Sequence, residues 1–130
     1  MNNLLNKIGK EVTTVDETNI AAAVASGSLP VFSTPMMIAL MEKAACKCLE
    51  STVGDGQTSV GTKVNVEHLA ASPIGATITA VAKVEAVSGR KVEFKVESFQ
   101  TLENEEGFKK IGEGEHTRFI VDEERFMAKL

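Results

Sequence analysis

The sequence predicts an α+β domain in which one long helix is wrapped by a curved antiparallel sheet. Three observations carry that prediction. Residues 35–52 hold strong helix formers and no glycine, between a helix-start signal and a stop at Gly54. After Gly56 the apolar period switches from 3.6 residues to 2. Four strand-like stretches then follow with no second long helix among them, which is the order of a layered α+β chain rather than of βαβ repeats.

Each element has a local reason. Gly9 to Glu17 contains the run Val12, Thr13, Thr14 and Val15, a short strand. Asn19 to Ser26 is alanine-rich and reads as a short helix stopped by Gly27, with Pro30 breaking the chain again. Thr34-Pro35 starts the long helix, Thr34 as a cap and Pro35 in the first turn, where its missing N–H is not needed. Met36 to Met41 is apolar around almost the whole circumference, while Lys43, Lys47 and Glu50 form the one solvated stripe. Gln57 to His68 alternates as a half-buried strand, with Val60, Val64, Val66 and His68 on one face and Ser59, Gly61 and Lys63 on the other. Ser72 to Gly75 makes a turn. Ala76 to Val87 and Arg90 to Phe99 form a hairpin through Ser88-Gly89. Phe108 to Val121 is a last strand, irregular near Gly112 and Gly114, and a charged tail ends in a helical turn. One sheet covers one side of a helix that is apolar nearly all round, so the pattern predicts a homodimer.

Composition narrows the function. The 130 residues form one domain, 1–130, with 43% hydrophobic and 25% charged residues and a net charge of −4. An acidic chain without Trp or Tyr offers neither the field nor the stacking surface for nucleic acid. No stretch has the length of a membrane span, and no signal-peptide core opens the chain, which points to the cytoplasm. Cys46 and Cys48 are too few and too close for a disulfide framework or a zinc site and read as small buried thiols. Neither a metal nor a cofactor is expected.

Four residues ask for more than packing. Glu42 lies about 80–140° around the helix from the solvated stripe, among Leu40, Met41, Ala45 and Cys46. A carboxylate placed there either snorkels or serves as a general base or nucleophile. His68 follows Val64 and Val66 on the inward face of a strand. Taken alone it is a satisfied core histidine. Gly61 interrupts a good strand, as a bulge or a close backbone approach does. Thr34 stands at a helix N-terminus, whose free N–H groups suit an oxyanion as well as a cap. His116 and Arg118 alternate on the last strand and read as a surface pair, with carboxylate or phosphate binding as the lesser option.

These residues occur in order with the stretches LPVFSTPM at 29–36, TSVGT at 58–62, VNVEHLA at 64–70, PIG at 73–75 and GEGEHTR at 112–118. Together they resemble the acyl-CoA thioesterases of the hot-dog fold, and within them the fluoroacetyl-CoA thioesterase-like group. The resemblance covers about residues 10–126. It implies a hot-dog fold, usually dimeric, with active sites at the subunit interface, and hydrolysis of a small acyl-CoA thioester to acid and CoA. Thr34, Glu42 and His68 fall on the catalytic threonine, carboxylate and histidine. Gly61 falls on the glycine at the acyl end of the pocket, and Arg118 on a further active-site arginine. The group's gating phenylalanines come from the segment before the helix, which here offers only Phe32 as a substrate-binding aromatic. The catalytic set therefore carries over and selectivity for fluoroacetyl does not. The same fold also carries non-catalytic acyl-CoA or small-ligand binding modules, and lyases that use a His and a carboxylate.

Overall fold

The computed structural model describes residues 2–130. Five strands form one antiparallel sheet in the order β1-β3-β4-β5-β2: β1 Ile8–Thr14, β2 Gln57–His68, β3 Thr77–Ser88, β4 Lys91–Thr101 and β5 Lys109–Asp122. The long helix α1, Thr34–Leu49, lies on the inner face, and a short helix α2, Glu123–Ala128, ends the chain. Among the described residues, no helix is long and apolar enough to cross a membrane.

Helix α1 buries Met37, Leu40, Met41, Ala44, Ala45, Cys48 and Leu49, a 3.6-residue stripe. The sheet answers with Ile78, Ala80, Ala82 and Val84 from β3, and Val92, Phe94 and Val96 from β4. Alanines at the contact let the helix approach the strands closely, and the large side chains fill the flanks. On β1, a Cβ at Gly9 would collide with the helix backbone at Ala44 and Cys48, so only glycine lets this edge strand pass.

Several expectations change. The alanine-rich stretch makes only a 3-10 turn, Ala21–Ala23, because Ser26 N–H returns to the Ala21 carbonyl and Ala25 turns left-handed at φ 58°. Eight residues are too few to hold a helix without packing. The four later strands do not pair in simple succession: β2 crosses to the far side of β5 and becomes an edge, while β1 closes the other edge against β3. Cys46 is exposed, and only Cys48 is buried, its thiol pushed up by that burial. Around α1 the wrapping is incomplete, with Ala39 exposed and Met36 and Ile38 half-buried.

A bulge between Gly61 and Lys63 decides the faces of β2. Before it, Ser59 and Gly61 pair with Ile120 and Arg118 and point inward; after it, Val64, Val66 and His68 do. The extra residue resets the alternation, so Gly61 belongs to the inner face and Val60, opposite Phe119, to the outer. β5 is irregular as expected, skipping Ile111 between the Gly112 and Lys110 pairings with β4.

Candidate active site

The cap of α1 is Ser33, whose hydroxyl accepts from Met36 N–H at 3.3 Å, and not Thr34 as the sequence suggests. Ser33 N–H is itself tied to the Asn19 carbonyl, and Phe32 N–H to that of Ser72. The chain entering the helix is therefore pinned, and Thr34, relieved of capping, turns its hydroxyl outward. Thr34 Oγ1 lies 2.8 Å from His68 Nδ1. The buried ring of Phe32 stands edge-on to the imidazole at 6.5 Å and 82°, fixing its plane. Burial pushes the His68 pKa below the ordinary value of 6.5, so the ring is neutral at neutral pH and can take a proton. Its Nε2 is buried without a hydrogen-bond partner. A cavity of about 450 Å³ opens onto Thr34 and His68, walled by Gly27, Leu29, Val31 and Leu69.

The second cluster surrounds Glu42. Arg118 Nη1 donates to Glu42 Oε2 at 3.2 Å, and His116 Nε2 lies 3.8 Å from the same oxygen. Gly61 forms the floor: a Cβ there would sit 2.5 Å from Glu42 Oε2 and 3.0 Å from Arg118 Nη1. The other nitrogens of Arg118 go to Ser59, Nε to the hydroxyl at 2.8 Å and Nη2 to the carbonyl at 3.1 Å. His116 and Arg118 are 1% and 7% exposed, so the expected surface pair is a buried one. Glu42 remains more than a third exposed and open to a ligand. The roles of His116 and Ser59 escape a reading of single residues. Their signal is the β5 alternation Gly112, Gly114, His116, Arg118, Ile120, which continues one inward face to a residue that can only be core.

The structure thus joins Thr34 to His68 with Phe32 behind, and Glu42 to Gly61 and Arg118. It does not join the two groups within one chain. Eight residues of helix separate Thr34 from Glu42 by about 12 Å, and seven residues of strand separate Gly61 from His68 by about 23 Å.

A hydroxyl–imidazole pair can move protons, and a carboxylate held by arginine can act as a nucleophile or a base. Residues 15–124 match the family model described as fluoroacetyl-CoA-specific thioesterase. The fluoroacetyl-CoA thioesterase of Streptantibioticus cattleyicolor is 35% identical over 100 residues, covering 77% of this chain and 68% of that protein. A solved structure of a fluoroacetyl-CoA thioesterase superposes with a TM-score of 0.84 at 28% identity, over 96% of this chain and 93% of the other. A hot-dog-like protein from Thermanaerovibrio acidaminovorans, 21% identical, shares the fold with a TM-score of 0.84 over 98% of this chain and 92% of its own. The architecture is the hot-dog fold, and the chain belongs to the fluoroacetyl-CoA-specific thioesterase family.

Proposed function

We propose that the chain, acting as one domain over 1–130, hydrolyses a small acyl-CoA thioester to free acid and CoA, with Glu42, Thr34 and His68 as its catalytic residues. The observation that carries this is the pairing of an accessible, arginine-held carboxylate with a separate hydroxyl–imidazole dyad. Family membership supplies the reaction class, and a related thioesterase has been solved with fluoroacetate and CoA bound. A thioester carbonyl needs an attacking oxygen, a stabiliser for the oxyanion and a proton for the departing thiolate. Glu42 attacks or activates water, and Arg118 and Gly61 hold it in place. Thr34 and the helix N-terminus face the oxyanion, where one donor is worth roughly 2.7–4 kcal/mol. His68, neutral at rest, moves the proton.

The site is completed by a second copy. β2 is a twelve-residue edge strand with one row of backbone groups unpaired, a surface that proteins cover. An antiparallel pairing of β2 with its own copy, with its two-fold axis near Asn65, pairs inner face with inner face and lays the Gly61 end of one strand beside the His68 end of the partner subunit's strand. That arrangement brings Glu42 of one chain to the dyad of the other. It also covers the open side of α1 at Met36, Ile38 and Ala39. Free thiols at Cys46 and Cys48 suit a reducing cytoplasm.

The test is CoA release across acetyl, halogenated acetyl, medium-chain and aryl-acetyl thioesters. Glu42→Gln is expected to lower kcat at least about 100-fold, the scale of one general-base contribution. Turnover left intact by the substitution rejects the assignment.

A further inference from the structure

His116 has no part in the mechanism above, yet it is 1% exposed and makes two polar contacts. Its Nδ1 lies 2.8 Å from the Lys63 carbonyl oxygen, at the β2 bulge. A carbonyl only accepts, so Nδ1 carries the hydrogen. The ring stacks on Phe94 at 6.1 Å and 25°. On the other side, Nε2 is 3.2 Å from Arg118 Nη1, and a guanidinium nitrogen only donates. Both neighbours therefore ask for the same species: a neutral imidazole with its hydrogen on Nδ1 and a lone pair on Nε2. Burial, the largest influence, and the Arg118 charge both favour that neutral form, against the Lys63 carbonyl and Glu42, which favour the cation.

Arg118 then has no freedom left. Nη1 carries two hydrogens, one directed to Glu42 Oε2 and the other to His116 Nε2, while Nε and Nη2 are held by Ser59. We propose that His116 is a positioning residue of this site: through the lone pair of Nε2 it fixes Arg118, and so the direction from which Glu42 is held over Gly61. The proposal rests on Glu42 being the reacting carboxylate. The groups that face the imidazole are Arg118 from β5, Glu42 from α1, the Lys63 carbonyl and Gly61 from β2, and Phe94 from β4. Protonated, Nε2–H would point at a guanidinium 3.2 Å away and compete with it for the Glu42 oxygen at 3.8 Å.

The chain has two histidines, so long-range proton–nitrogen correlation on protein labelled in histidine reads both imidazoles, and His68→Gln assigns them. The expected result is His116 as the Nδ1–H tautomer, unchanged from about pH 8 to about pH 5.5, across the range where an ordinary histidine titrates. The Nε2–H tautomer, or titration at an ordinary histidine value, overturns the proposal. This reading needs no substrate, so it stands or falls separately from the thioesterase assignment. Kinetics give the second arm. His116→Phe keeps the stacking volume and removes the acceptor, and is expected to lower kcat about tenfold with KM within about twofold, as misplacement of a reacting group does. His116→Gln, which restores an acceptor, recovers part of that loss. A folded His116→Phe with unchanged kcat overturns the role, and should that variant not fold, His116→Gln and the tautomer decide it.

Discussion

Gly61 is the residue whose smallest possible change tests the most. The added methyl of Gly61→Ala would stand 2.5 Å from Glu42 Oε2 and 3.1 Å from His116 Cε1. The first of these contacts is the tip of a flexible side chain, so the carboxylate yields rather than the sheet. Gly61 also does not have a left-handed backbone among the positive-φ residues, so alanine meets no backbone penalty there. Arg118 Nη1, 3.0 Å from the same methyl, and His116 are buried and held by their own partners, so they give little. Displacing Glu42 leaves the guanidinium without its ion partner, so the variant should also lower the melting temperature. Beyond that loss of stability, the folded variant should lose kcat by up to about 100-fold, the cost of roughly 1 Å of misplacement at a reacting group. A melting temperature and a turnover curve on the same preparation separate the two effects. Unchanged kcat would mean that the carboxylate does not need the place it occupies.

At the scale of the element, the entry of α1 gives two neighbouring hydroxyls different partners. Ser33 caps the helix and Thr34 reaches His68. Ser33→Ala should therefore cost about 1 kcal/mol of stability, a fall of several degrees in melting temperature, while the hydroxyl of Thr34 stays available. The same pair shows what the sequence makes legible. Thr34-Pro35 announces a helix start, but both Ser33 and Thr34 can cap, and only the anchoring of Phe32 and Ser33 to distant carbonyls selects between them. The ends of β2 are readable from alternation because that signal is local. Its inner face is not, because a bulge moves one residue out of register and reverses every side chain before it. Gly61 marks the place of that irregularity, yet its consequence appears only with β5 alongside. Arg118 and His116 are misread for a related reason. Charged residues on a strand are usually solvated, and what buries this pair is a carboxylate 76 positions away in the chain.

At the scale of the whole molecule, the proposed sharing of the site between two copies can be tested by complementation. In one chain, Glu42 and the Thr34–His68 dyad belong to opposite stretches of the same helix and strand. If each site takes Glu42 from one copy and the dyad from its partner, two inactive variants must rescue each other. A mixed dimer of Glu42→Gln and His68→Ala contains one site bearing both defects and one site bearing neither. Unfolding and refolding the two together, or co-expressing them, gives random pairing in which half of the dimers are mixed, so about a quarter of all sites are intact. The expected activity is accordingly about a quarter of the unaltered protein's, from two preparations each nearly inactive alone. A site built within one chain behaves differently. Each half of the mixed dimer would then carry one defect, and the mixture would stay as inactive as its parts. The measurement therefore distinguishes a dimer that creates the active site from one that merely covers the exposed side of α1.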